Sequence, residues 1–173
     1  MEIRKMISAE EIRERTAELA QKIAEDYAGR EIHMICVLKG GAFFMANLAG
    51  QMPESVPVSL DFMSVASYGD DTKSSGIVRI IKDLDEPIEG KDVLLVEDII
   101  DSGRTLFYLK DMLSDRKPAS FKICTLLDKP DRRVKDIEPD YTAFVIEDKF
   151  VVGCGMDYKQ HYRNLPYIGE VIL

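Results

Sequence analysis

A chain of 173 residues, 46% of them hydrophobic, is long enough to bury one substantial core, and its size suits a single domain. Its 31 acidic residues against 23 basic ones give a formal charge of -8, which argues against a general nucleic-acid or anionic-membrane surface and makes local basic residues informative. The N-terminal MEIRKMISAEE has no apolar core segment, and no apolar run of about 18 residues follows, so no secretory signal or membrane span is expected and the cytoplasm is the expected compartment.

Ser8 followed three residues on by Glu11 is a capping box, and Ile12, Thr16, Leu19, Ala20, Ile23 and Tyr27 then recur at helical spacing until Gly29. Arg13, Glu14, Glu18, Lys22 and Glu25 make the solvated face of this helix. Residues 32–38 read as a buried strand that runs into Lys39-Gly40-Gly41 and an apolar helix over 42–49. Residues 58–66 and 77–81 are two further strands. Between them SYGDDTKSSG, residues 67–76, has the composition of a solvated hairpin tip and equally that of a lid with one aromatic at its base. Pro87 and Gly90 mark a turn before the next strand.

The most informative stretch is VLLVEDIIDSGRTL, residues 93–106. Val93, Leu94, Leu95 and Val96 have no polar face, as expected of a parallel strand covered on both sides. Glu97 and Asp98 follow at its end, then Asp101-Ser102-Gly103-Arg104-Thr105, then Leu106, Leu109, Lys110, Met112 and Leu113 at helical spacing. Open α/β sheets place ligands at the carboxyl ends of their strands, and a helix start beside a glycine and two hydroxyls is a ready phosphate cup. Phosphate alone has no use for two carboxylates. A phosphorylated sugar does, because Glu97 and Asp98 can accept from a vicinal diol or hold a hydrated divalent cation. Read as an ordinary connection, the segment would use Asp101 or Ser102 as a helix N-cap, which leaves the carboxylate pair unexplained.

Arg116-Lys117-Pro118 ends that helix, and 121–127 is a strand with Asp128-Lys129-Pro130 at its end, on the side of the phosphate cup if the strands are parallel. Residues 141–146 form a short strand. DKFVVGCGMDYKQHYR, residues 148–163, follows. Base rates make Phe150, Val151 and Val152 core residues. Chemistry offers another use: an aromatic face for a heteroaromatic ring, the Asp157 carboxylate for a hard cation, the Arg163 guanidinium for a diphosphate. Cys36, Cys124 and Cys154 share no C-x-x-C spacing, and Cys36 and Cys124 read as buried free thiols; His33 reads as structural.

The run VEDIIDSGRTL resembles the phosphoribosyl-pyrophosphate (PRPP) loop of the type I phosphoribosyltransferases, and DKFVVG-x-x-x-DY-x-x-x-x-R resembles the purine-site segment of the hypoxanthine-guanine members. The resemblance covers the chain after its first helix, with the loops in family order and Ser102 and Arg104 as allowed variants. It implies a single α/β domain, a mostly parallel twisted sheet with helices on both faces, and a small hood formed by the N-terminal segment and residues 148–173. It implies that Glu97, Asp98, Asp101, Ser102, Gly103, Arg104 and Thr105 hold the ribose phosphate, with Asp101 as catalytic proton acceptor. Leu38, Lys39 and Gly40, with a non-proline cis peptide between Leu38 and Lys39, would bind pyrophosphate together with Arg163 and with Ser67 and Tyr68 of a closing lid. Lys129, Phe150, Val151 and Asp157 would hold the purine, and Glu97, Asp98 and Asp157 magnesium. The implied partners are PRPP and a 6-oxopurine, with no nucleic acid or membrane, in a homodimer or homotetramer. Two other readings stay open: a regulator that keeps the PRPP loop as a sensor, with or without RNA, and a transferase acting on adenine, xanthine or a pyrimidine.

Overall fold

A computed structural model describes residues 1–67 and 77–173; Tyr68 and residues 69–76 of the expected lid lie outside the described residues. The chain runs β1 (Glu2–Ile7), α1 (Ala9–Tyr27), β2 (Ile32–Leu38), α2 (Ala42–Gly50), β3 (Val58–Ser67), β4 (Val78–Lys82), β5 (Asp92–Ile100), α3 (Arg104–Ser114), β6 (Ser120–Asp128), β7 (Tyr141–Val145), β8 (Val151–Val152) and β9 (Ile168–Ile172). The capping box forms as expected: the Ser8 hydroxyl accepts from the Glu11 N–H at 3.1 Å, and the Glu11 carboxylate accepts from the Ser8 N–H at 2.7 Å.

Six strands make the main sheet in the order β4-β3-β2-β5-β6-β7, with β3, β2, β5, β6 and β7 parallel and only the edge strand β4 antiparallel. Alternation along the strands builds two cores. Met34, Cys36, Leu94 and Val96 face α1 and α2, packing with Ile23, Met45 and Leu48. Ile35, Val37, Val93 and Leu95 face the other way, onto Leu106, Leu109 and Leu113 of α3. Helices therefore cover both faces, and the apolar runs of β2 and β5 have no polar side because neither face meets water.

Strand order carries the functional consequence. From β2 the chain passes outward to β3, then returns to the other flank of β2 as β5, so the loops leaving β2 and β5 diverge above two adjacent strands. That switch in direction opens a crevice at the carboxyl ends.

Four strands differ from the sequence reading. β5 runs on to Ile100, so Glu97 and Asp98 lie within the strand rather than after it. β1, β9 and β8 form a separate antiparallel sheet that joins the two ends of the chain. Their local pattern is weak, since β8 has only two residues and β1 is largely exposed; they are strands because they pair with one another. The free cysteines behave as expected: burial pushes the Cys36 thiol up to about 12, and Cys124 is fully buried. His33 is buried with Nδ1 2.7 Å from Ser59 Oγ, and burial lowers its pKa, which suits a neutral structural histidine.

Leu109 is fully buried under the sheet. Truncation to Ala should cost about 2–5 kcal/mol, read as a lower midpoint in denaturant unfolding with little change in slope.

Candidate active site

The crevice holds two adjoining hollows. The first, about 140 Å³, is formed by Glu97 and residues 99–106. Gly103, at φ 80°, precedes α3, and no side chain caps that helix; Ser102 Oγ makes only a 3.4 Å contact with the Arg104 N–H. Neither Asp101 nor Ser102 is thus spent as an N-cap, and the positive end of α3 opens on this hollow with Ser102, Arg104 and Thr105 around it.

The second hollow, about 200 Å³, brings together Asp98, Asp101, Lys129, Phe150, Val151 and Asp157 from four parts of the chain. Asp101 and Ile99 belong to both hollows. Phe150 is not core: the residue is 52% exposed, and its ring makes a T-shaped contact with Tyr158 at 5.7 Å between centroids. Val151 and Val152 are the residues that fill the interior. Lys129 is only 6% exposed, with Nζ 3.7 Å from Asp148 Oδ1. A buried ammonium at the wall of a cavity is a strong donor with few alternative partners.

Because β5 continues through them, Glu97 and Asp98 alternate: Glu97 lines the first hollow and Asp98 the second. Asp98 also reaches the β2 loop, where the Leu38-Lys39 peptide is cis and the Asp98 carboxylate occupies the space a Cβ on residue 40 would need. Any larger residue there would have to displace that carboxylate. Burial pushes the Glu97 carboxyl well above its ordinary value, with the neighbouring Asp98 charge adding to the shift. Asp98 is raised too, mainly by burial, with Asp157 pushing it further up and Arg163 pulling it down.

These crowded, half-desolvated carboxylates are short of positive charge, which is the condition a divalent cation relieves. Among the described residues no three carboxylates, histidines or cysteines form a cluster of their own. The set fits magnesium, which keeps several waters and takes one or two carboxylates plus substrate oxygens rather than a protein cage.

Arg163 sits behind the second hollow, held by Asp157 at 3.1 Å and by the Gly155 carbonyl at 2.7 Å. Its other contact is Gln160 Oε1 at 3.0 Å, which also accepts from Lys39 Nζ at 3.4 Å, so the β2 loop and the 157–163 turn meet at Gln160. Gln160 was invisible in the sequence, since a left-handed turn at φ 67° places it. Arg132 was also missed: Nε donates to Asp101 Oδ1 at 3.0 Å and Nη1 to Asp148 Oδ2 at 3.4 Å. The basic doublet Arg132-Arg133 in an acidic chain was its only signal.

The model of the phosphoribosyl transferase domain matches residues 6–159. The chain belongs to the phosphoribosyltransferase family. A hypoxanthine-guanine phosphoribosyltransferase of Streptococcus thermophilus is 51% identical over 164 residues, covering 95% of this chain and 90% of the relative. A hypoxanthine phosphoribosyltransferase of Salmonella typhimurium is 49% identical over 170 residues, 97% of this chain and 94% of that one. The crystal structure of a Bacillus anthracis hypoxanthine-guanine phosphoribosyltransferase superposes with a TM-score of 0.94 at 47% identity, covering 99% of this chain and all of that one. This chain therefore shares the family's fold along its whole described length. Among the described residues no helix is long and apolar enough to cross a membrane.

A carboxyl whose folded-state pKa lies above its unfolded one holds its proton more tightly in the fold, so its contribution favours folding at low pH and is lost as pH rises through the folded value. Glu97 is such a group, with its window opening upward from the ordinary 4.5. Glu97→Gln should therefore be more stable than the wild type at about pH 8 without divalent cations, and the gain should vanish towards about pH 4. Thermal midpoints of both proteins across that range check it.

Proposed function

We propose that this chain transfers the phosphoribosyl group of PRPP to a 6-oxopurine, hypoxanthine and/or guanine, giving IMP or GMP and pyrophosphate in purine salvage. The observation that carries this is the pair of adjoining hollows with Asp101 on their shared wall: one suited to a sugar phosphate, the other to a flat heteroaromatic ring with a carbonyl edge. The names of the relatives in Streptococcus thermophilus and Salmonella typhimurium support the same substrates. A sensor that had kept only the phosphate loop would have no use for the second hollow with Lys129 and Phe150, and the charge of -8 does not favour an RNA surface.

In this reading the first turn of α3, with Ser102, Gly103, Arg104 and Thr105, takes the 5′-phosphate through backbone N–H groups and hydroxyls. Glu97 and Asp98 hold the ribose hydroxyls. Magnesium, when bound with PRPP, would supply charge neutralisation for the diphosphate, and Glu97, Asp98 and Asp157 would hold it through water and substrate oxygens. Leu38, Lys39 and Gly40 of the β2 loop, with Arg163 and with Ser67 and Tyr68, bind the leaving diphosphate; Lys39 and Arg163 already approach one another through Gln160. Phe150 stacks on the purine, Val151 and Asp157 border its edge, and Lys129 donates to the exocyclic oxygen.

Departure of pyrophosphate leaves an oxocarbenium-like ribosyl carbon, so the protein must hold the base nitrogen in line with that carbon and stabilise the leaving charge. Asp101 stands where both substrates meet and takes the imidazole proton as the bond forms. Arg132 fixes its carboxylate in the meantime. PRPP is highly charged and does not cross membranes, which suits a cytoplasmic enzyme. The same reading makes the chain one catalytic domain, hooded by the small sheet and residues 148–173, in a homodimer or homotetramer.

A turnover panel of hypoxanthine, guanine, xanthine, adenine and uracil with PRPP and magnesium tests the reaction: nucleotide should form from hypoxanthine or guanine, and preference for adenine or uracil would overturn the assignment. Asp101→Asn keeps shape and an acceptor for Arg132 but loses the proton acceptor, so kcat should fall by about 10² to 10⁴ with PRPP affinity little changed. If Asp101 served structure alone, turnover would stay near normal. Lys129→Ala should cost roughly 1.5–3 kcal/mol in kcat/KM for the base while leaving PRPP binding intact, because it deletes a charged donor to a carbonyl. Parallel kinetics on both substrates separate these effects.

A further inference from the structure

One buried ion pair lies beneath the two hollows without lining either. Arg133 and Asp128 have side chains each only 8% exposed, and Arg133 Nη2 donates to Asp128 Oδ1. The same guanidinium donates through Nη1 to the Asp101 carbonyl at 3.0 Å and through Nε to the Ile137 carbonyl at 2.8 Å. All three of its nitrogens are thus engaged, in the fixed fork that only arginine offers. Asp128 ends β6 and immediately precedes Lys129, whereas Asp101 follows β5 and opens the phosphate loop. Backbone bonds reinforce the junction: Lys129 N–H to the Ile100 carbonyl and Val134 N–H to the Ser102 carbonyl, both at 3.0 Å.

The arginine stem needs room. A Cβ at residue 103 would stand 2.9 Å from Arg133 Cδ and 2.7 Å from Ile137 Cγ2, and Gly103 also has φ 80°. The phosphate-loop glycine therefore serves a second purpose: it lets the arginine pass directly beneath the cup.

We propose that Arg133, paired with Asp128, is a positioning residue that locks the Lys129 loop to the Asp101 loop and so sets the spacing between the bound purine and the ribosyl carbon. The proposal rests on the phosphoribosyl-transfer reading above. Each substrate has its own loop and can bind without the lock; what the lock supplies is their mutual register, and a misplacement of about 1 Å can cost on the order of 10²-fold in rate. Loss of the lock should then appear in kcat rather than in either KM.

Arg133→Lys retains the charge but not the fork, and Asp128→Asn is nearly isosteric. Both are compared with the wild type at a temperature well below the thermal midpoint of each. The expected result is a drop in kcat of about 10- to 100-fold for Arg133→Lys, with KM for PRPP and for the base each within about threefold, and a smaller drop of the same kind for Asp128→Asn. The reverse reaction, nucleotide plus pyrophosphate, should slow by a similar factor, since both directions cross one transition state. A kcat within about threefold of wild type in a folded variant would overturn the proposal and leave a purely structural pair; so would a rise in one KM at constant kcat. If Arg133→Lys does not fold, Asp128→Asn carries the same test. Wild-type turnover of hypoxanthine or guanine is measured alongside: its absence refutes the reaction, whereas the variant-to-wild-type ratio bears on Arg133 alone.

Discussion

Everything at the site hangs from β5, a strand hydrogen-bonded to β2 on one side and β6 on the other and sealed between two helical layers. Such a strand cannot shift without breaking two ladders and exposing both cores, so the residues at its carboxyl end are held as firmly as any in the molecule. Two consequences follow from its length. Because pairing continues to Ile100, Glu97 and Asp98 are forced to opposite faces, one into each hollow, and Asp101 becomes the first residue free to turn between them. A strand ending at Val96 would have left the two carboxylates side by side in a loop.

The strand also explains the unfavourable electrostatics there. Carboxylates with raised pKa values beside a fully apolar run are a cost to the empty protein, and the fold bears it because the surrounding packing is large and cooperative. The arginines around them are engaged by other carboxylates: Arg163 on Asp157, Arg132 on Asp101 and Asp148, Arg133 on Asp128. These pairs hold their carboxylate partners in one orientation, and the exposed ones add little stability of their own. Their contribution is geometric. Segments far apart in sequence, around residues 39, 101, 130 and 160, reach one crevice through a few charged hydrogen bonds.

Phe150 would pass for a core residue on composition, yet it is exposed at the second hollow, its ring packed T-shaped against Tyr158. Lys129 is buried where lysine seldom is, at the wall of the same hollow and beside the Asp148 carboxylate. The 140 and 200 Å³ hollows stand side by side and share Ile99 and Asp101.

Sequence by itself determined what depends on neighbours along the chain. The helix from Ser8, the doubly covered strands around 34 and 94, and the polar glycine turn at 101–105 are local patterns whose physics acts over a few residues, and all three stand in the structure. The carboxylate pair and the Phe150 segment, which line the two hollows, were legible because their motifs are contiguous. Tertiary structure alone decided what depends on pairing and register. β1, β8 and β9 have no strong period of their own and exist through one another. The division of Glu97 from Asp98 depends on where β6 stops supporting β5. Arg132, Arg133 and Gln160 gain their partners only when loops from different strands converge, and no spacing along the chain encodes the distance between two loop tips.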